Sequence, residues 1–324
     1  MPQPGRIFSY LHLITFTLAL AGCNNAPEQQ KHVTVAIICA GSNFHPIVKG
    51  FKEGMTAAGY LEGKNITYLY DGPTPKEQIP RRLTFLRQQG ADLLYTMTTP
   101  ITKQARKIFT GSKTPILFAP VFSPMDAGLV DAASRRGNNI TGVMVRGSTA
   151  KTLAYLLECV PTLKTLFVPF NDNDLPARLN LQDLRQEADK HGIAIITADV
   201  DNRADIDNAL QNIPKGTDAV WMTHSRLIIG NAAAIIEAAT KQKLPVVSPA
   251  PQYKTGALLS YAPNAKYMGR QASRLADKIL RGADASHIPV ETAEYFFGIN
   301  LKTANTLGIE IRNDILREAD FIER

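Results

Sequence analysis

A chain of 324 residues with 44% hydrophobic and 20% charged residues is long enough for two domains and apolar enough to bury a full core, which excludes a disordered chain. Its formal charge of +7 is spread along the sequence, and the tightest basic cluster, Lys103, Arg106 and Lys107, falls on a helical pattern that reads as a solvated face. Without a basic stripe no nucleic-acid partner is expected.

The first residues carry a targeting pattern. Arg6 precedes an apolar run from Ile7 to Ala21, closed by the small residues Ala21 and Gly22, the layout of a secretory signal peptide. Cys23 directly follows Leu20-Ala21-Gly22, and this resembles the lipobox of bacterial lipoproteins. The resemblance implies that Cys23 is acylated, as by palmitate, and becomes the mature N-terminus. The alternatives are an ordinary signal peptide with a chance cysteine or an uncleaved anchor, although the run is shorter than the roughly 20 residues a span needs. The expectation is a leader over 1–22, a lipidated polar tether over 23–31, and a membrane-anchored protein in the cell envelope facing the periplasm or exterior. Cys39 and Cys159 read as small buried residues rather than a disulfide pair.

From Val33 a strand-then-helix rhythm begins. Apolar runs predict strands at Val33 to Ala40, Ile66 to Tyr70, Asp92 to Thr96, Pro115 to Val121 and Asn139 to Val145. Helical patterns lie between them at Phe44 to Ala58, Pro75 to Gln89, Pro100 to Phe109 and Asp126 to Ser134. After Gly147 the rhythm restarts, with helices at Ser148 to Val160, Ala177 to His191, Arg203 to Gln211, Asn231 to Lys241 and Lys266 to Leu280. The intervening strands are Thr165 to Phe170, Ile193 to Ala198, Asp218 to Met222, Val246 to Ser248 and Ala257 to Tyr261. Near-continuous apolar strands separated by helices imply an α/β fold with parallel sheets covered on both faces, and two such sets imply two lobes.

Ligands in such folds sit beyond the carboxyl ends of the strands. That rule selects the loops holding Ser42 and Asn43, Thr98 and Thr99, Ser123, Asn171, and Thr223, His224 and Ser225. Tyr261, with Phe44, Phe122 and Tyr253, is a candidate for an apolar wall. Ser42, Asn43, Thr98, Thr99 and Ser123 read equally well as helix caps or as groups aimed at a ligand.

Five segments together resemble a known family: Gly50-Phe51-Lys52-Glu53-Gly54; Thr98-Thr99-Pro100; Ala127-Gly128-Leu129-Val130 leading to Asn139-Ile140-Thr141-Gly142-Val143; Tyr267-Met268-Gly269-Arg270-Gln271-Ala272 with Lys278-Ile279-Leu280-Arg281-Gly282; and Ile299-Asn300-Leu301-Lys302-Thr303-Ala304. Their order and spacing are similar to the substrate-binding lipoproteins of ABC importers of the tryptophan/tyrosine type. The resemblance implies a type I periplasmic-binding-protein fold, with two Rossmann-like lobes, a three-segment hinge and a ligand in the cleft. Carried over, the first lobe takes 32–145 plus 264–288 and the second 146–263 plus 289–324. The crossovers fall at Val143 to Gly147, Ala262 to Lys266 and Pro289 to Glu294. Relatives often carry an aspartate where this chain has Ser123 and another where it has His224, so the evident partners for a ligand ammonium are missing. Asp172 or Asp174 is the substitute; a protonated His224 facing a ligand carboxylate would make affinity fall above pH of about 6–7, whereas pairing with a neutral group would leave it flat there or move it the other way.

No nucleophile elbow, phosphate loop or paired histidine spacing is present, so neither an enzyme, a metal site nor a cofactor is expected. The resemblance implies a small, amino-acid-like ligand, an ABC permease and ATPase as partners, a lipid anchor at the membrane and a monomer. A sensing module for a membrane signalling partner is the alternative.

Overall fold

The computed structural model describes Met1, residues 32–131 and residues 139–324. The expected leader, Cys23 and the tether after it therefore lie outside the described residues. In chain order the first lobe takes β1 (Val33–Ile38), α1 (His45–Ala57), β2 (Ile66–Leu69), α2 (Ile79–Gln88), β3 (Leu93–Thr96), α3 (Thr99–Ile108), β4 (Ile116–Val121) and β5 (Ile140–Met144). The second opens with α4 (Thr149–Cys159), β6 (Thr165–Phe170), α5 (Leu175–Lys190), β7 (Ala194–Asp199) and α6 (Arg203–Gln211). It continues through β8 (Ala219–Trp221), α7 (Arg226–Gly230), α8 (Ala232–Lys241), β9 (Val246–Ser248) and β10 (Leu259–Pro263). The chain then returns for α9 (Ala265–Leu280) and β11 (Glu291–Thr292). It crosses a last time into β12 (Tyr295–Asn300), α10 (Leu301–Leu307), α11 (Asn313–Glu318) and β13 (Phe321–Glu323).

The first sheet has the order β11-β5-β4-β3-β1-β2, and every pair in it is parallel. Its apolar strands need to be apolar because alternate side chains enter two separate cores. Val35 and Ile37 face the α1 and α9 side with Phe51, Met55, Met268 and Leu275, whereas Ala36 and Ile38 face the side with Leu83, Leu86 and Ile101 of α2 and α3. The second sheet runs β13-β12-β10-β9-β8-β6-β7. Leu166 and Val168 pack against Leu156 and Leu184 on one face, and Phe167 packs with Ile206 and Ile235 on the other. The sheet is parallel except between β10 and β12, where Tyr261 pairs with Phe297 in antiparallel register. That reversal follows from topology: β12 enters from the first lobe at the end where β10 leaves.

Two expectations change. The helix predicted from Asp126 is replaced over its described part by tight turns, in which the N–H groups of Ala127 and Leu129 bond to the carbonyls of Ser123 and Pro124. Residues 132–134 of that prediction lie outside the described residues. The five elements after residue 290 and the short α7 went unread, because none has a long periodic pattern. Among the described residues no helix is long and apolar enough to cross a membrane. Cys39 and Cys159 are buried free thiols.

Three chain crossings join the lobes, between β5 and α4, β10 and α9, and β11 and β12. They are tied to one another: the Tyr295 hydroxyl at the last crossing donates to the Val145 carbonyl at the first. Tyr295 also lies 5.2 Å from the ring of Tyr261 at the second crossing.

Candidate functional site

In the first lobe the loops after β1, β3 and β4 are neighbours because those strands are neighbours. Main-chain bonds lock them together, Met97 N–H to the Ile38 carbonyl at 3.2 Å and Thr98 N–H to the Pro120 carbonyl at 2.9 Å. This brings Ser42, Asn43, Thr98, Thr99, Phe122 and Ser123 to one edge. The capping reading of these residues does not hold. The turn at Ser42–Phe44 and the helices α1 and α3 all lack a side-chain cap bond at their N-termini. Thr98 departs furthest from ordinary geometry, with φ 73° and ψ 149° at the mouth of α3, a conformation that glycine tolerates and a β-branched residue resists. Its side chain stays partly exposed. The Asn43 amide folds back on Gly41, where any Cβ would collide with its oxygen.

In the second lobe the structure separates the candidates. Thr223 is fully buried and its hydroxyl donates to the Pro169 carbonyl at 3.3 Å, a bond inside the lobe. The Asn171 amide is committed to the Val200 carbonyl at 2.7 Å and the Asp201 carboxylate at 3.0 Å, holding the loop after β7. Asp172 is exposed on the same surface, and Asp174 stands at the start of α5 without a cap bond. Tyr261 joins Tyr155 and Tyr295 in the aromatic group at the crossings. Ser225, 1% exposed, keeps a hydroxyl with no hydrogen-bond partner among the described residues.

His224 faces the other lobe. Its ring lies 5.0 Å from the ring of Phe122 with an interplanar angle of 55°. Burial holds its pKa down to about 4, against a smaller opposing pull from the Asp183 charge, even though part of its surface stays open. In these surroundings His224 is held neutral at physiological pH, the form that suits a neutral partner rather than a carboxylate.

Three charged residues that sequence reading passed over meet beside this contact. Arg146, at the first crossing, binds Asp183 of α5 through two nitrogens, at 3.0 Å from Nε and 2.7 Å from Nη2. Its Nη1 reaches Asp126 Oδ2 at 2.5 Å, and Ser123 Oγ donates to that same oxygen. Carboxylates thus stand next to Ser123 and within electrostatic reach of His224, although neither position is itself acidic. Asp126 was findable from its i+3 spacing to Ser123; nothing in the α5 sequence marked Asp183. The helix explains its aim. Asn180, one turn earlier on the same face, donates to Thr149 Oγ1 at 3.0 Å, so that face of α5 lies along the start of α4, just beyond the crossing.

The arrangement offers hydroxyls, a neutral imidazole, an aromatic ring and a mixed-charge cluster between two lobes. Among the described residues no group of His, Cys, Asp and Glu has the arrangement of a metal site.

A model of the ABC transporter substrate binding protein family matches residues 32–322. The tyrosine-binding protein of Clostridioides difficile is 23% identical over 274 residues, 82% of this chain and 77% of that protein. Among solved structures, the ABC domain from Streptococcus pneumonia in complex with L-Trp superposes with a TM-score of 0.77 at 20% identity, covering 90% of this chain and 99% of that one. A conserved domain protein from Vibrio cholerae superposes at 0.76 with 25% identity, over 91% and 100%.

Proposed function

The chain belongs to the ABC transporter substrate binding protein family, and from that premise we propose that it captures an amino-acid-like ligand between its lobes and hands it to an ABC permease and ATPase. The observation that carries the ligand reading is the Phe122–His224 contact, one ring from each lobe, with Ser123 and Ser225 next to those rings in the chain and Ser42, Thr98 and Thr99 on the loops after the neighbouring strands of the first sheet. An apolar wall with a few polar groups is what an aromatic or branched side chain needs. The tyrosine-binding relative and the tryptophan complex support that class. Asp126 and Asp183 supply the carboxylates that an ammonium group requires when it leaves water. The lobes in this reading are 32–145 plus 264–288 and 146–263 plus 289–324. Acylated Cys23 holds a monomer at the membrane of the cell envelope through residues 24–31.

A calorimetric screen tests the ligand class. Aromatic and branched amino acids are compared with their deaminated keto- and hydroxy-acid analogues. Amino acids binding ten-fold or more tightly than the analogues support the reading; equal binding, or none, rejects it. Native mass spectrometry of protein purified from its host identifies what it carries.

A further inference from the structure

Positive charge collects in one part of the fold rather than lying evenly over it. Residues 76–113 hold eight Lys and Arg against the two acids Glu77 and Asp92, whereas residues 139–324 hold 21 of each sign. The 76–113 stretch builds α2, β3, α3 and the loop into β4, and its two helices pack side by side on one face of the first sheet. Ile79, Leu83 and Leu86 of α2 and Ile101 and Ala105 of α3 enter the core, so the 3.6-residue period turns Arg81, Phe85, Lys103 and Lys107 outward. All four are exposed, Phe85 by 44%. Asp92 is spent on the Thr34 N–H at 2.8 Å, and Arg82 is paired with Asp71. Among the described residues, Arg81, Arg87, Lys103, Lys107 and Lys113 are in no ion pair. Arg87 instead donates to the Ile108 and Thr110 carbonyls, at 2.6 and 3.2 Å, and so draws the ends of the two helices together.

We propose that the outward face of α2 and α3 is a docking surface for an anionic phospholipid bilayer. Unpaired cations spread over two helices match a surface of many phosphates, to which each adds attraction without needing one fixed partner. The exposed Phe85 ring, with the Arg82 guanidinium 5.2 Å from its centre, has the mixed character of the boundary between headgroups and acyl chains. An acidic protein would meet the same charges, but position favours lipid. Each helix ends where the next strand of a parallel sheet begins, so Arg87, Lys107 and Lys113 lie at the edge where β1 also begins. That edge is tied together: the Asp92 N–H bonds to the Thr34 carbonyl at 2.8 Å, and Thr114 Oγ1 donates to the Ala91 carbonyl at 3.0 Å. His32, just before β1, is where the tether of the proposed function joins the fold, and that tether, Cys23 to Lys31, spans about 30 Å at full extension. A protein anchored through it keeps this edge near the headgroups. The first-lobe ligand loops leave the opposite ends of the same strands and stay clear of the lipid.

The inference rests on the membrane-anchored reading, and its test does not use the anchor. His32–Arg324 form a compact unit of their own, so residues 24–324, without the acylated cysteine, serve as the sample. They are sedimented with vesicles of phosphatidylcholine alone and of phosphatidylcholine mixed roughly three to one with phosphatidylglycerol. The expected result is binding to the mixed vesicles only, lost at high salt. Lys103→Gln combined with Lys107→Gln lowers that binding about ten-fold or more. Lys164→Gln combined with Lys215→Gln removes the same charge from exposed lysines of the second lobe and leaves binding unchanged. Melting temperatures of both double variants match wild type. Phe85→Trp emission moves to shorter wavelength on the mixed vesicles, whereas wild type, whose single Trp221 is 3% exposed, shows no shift. No binding to the mixed vesicles overturns the proposal and leaves an acidic protein as the partner of this face. Equal losses in the two double variants, or an unmoved Phe85→Trp emission, also overturn it. The anchor is decided separately through Cys23→Ser, so vesicle binding by residues 24–324 upholds the surface even where the anchor fails.

Discussion

Gly269 of α9 lies against the carbonyl of Ile47 in α1 so closely that a Cβ added to it would overlap that oxygen. Gly50 meets the Lys266 carbonyl in the same way, and Gly54 meets the Ser273 hydroxyl. Glu53, between the two glycines, accepts from Lys266 and Arg270, both at 3.0 Å. The two helices thus cross backbone to backbone. Two of the segments that carry the family resemblance, Gly50 to Gly54 and Tyr267 to Ala272, are the two sides of this crossing.

Gly269→Ala is therefore expected to destabilise the protein by about 1–3 kcal/mol or more, because the obstacle is main chain and cannot rotate away. Urea unfolding reads the loss. An Ala at the open position Gly230, where an added Cβ meets nothing within 4 Å, is the control and changes stability by less than about 1 kcal/mol.

Thr98 and Thr223 separate binding from folding. The Thr98 side chain caps nothing, and its backbone is held at positive φ. Thr98→Gly is expected to keep or raise stability by roughly 1 kcal/mol through strain relief, while Thr98→Ala weakens amino-acid binding by about 1–3 kcal/mol with stability unchanged. Thr223→Ala removes the buried bond to Pro169 and lowers stability by about 1 kcal/mol. Calorimetry and thermal melts on the same samples distinguish the two.

His224 makes stability depend on acid. Its folded pKa of about 4 lies below the ordinary 6.5. Between those values the unfolded chain takes up a proton that the folded protein refuses, so stability falls as pH drops through that window and is unaffected by His224 above it. The loss is roughly 2 kcal/mol once partial exposure is allowed for. Denaturation midpoints from pH 7 down to about 4 show it, and His224→Gln reduces the slope. Ligand affinity stays level from about pH 6 to 8, because the imidazole is neutral throughout.

Cys23→Ser tests the anchor. It is expected to release soluble protein or to accumulate an unprocessed precursor; normal cleavage with unchanged membrane attachment would falsify the lipoprotein reading.

The fold was legible from its strands because burial on two faces forces a continuous apolar run, as at Val33 to Ile38. The site was less legible. The resemblance rests on positions that pack: Gly142 leaves no room beside Phe118, and Asn300 caps α10 and donates to the Tyr253 carbonyl at 2.6 Å. Such residues report architecture and say little about cargo. Asp126, Arg146 and Asp183 are ordinary surface-type residues in sequence, and only the meeting of a turn, a crossing and a helix face gives them a shared meaning. His224 was marked by its type as a pH handle, but only its buried surroundings tell where that handle acts, since they lower its pKa.

The interleaving of the lobes has a consequence for how the chain is made. The first sheet ends in β11, and the Phe51 and Met55 face of that lobe is covered by α9, elements supplied by residues 265–292. A nascent chain that has emerged as far as β10 therefore holds most of the second lobe but leaves the first with an uncovered apolar face and an unpaired β5 edge. The first lobe therefore has all its elements only once β11 has emerged, and the second later still, with β12 and β13. The two sheets are thus finished in succession, the first at Thr292 and the second at Glu323, although the chain begins the first lobe and enters the second at its midpoint.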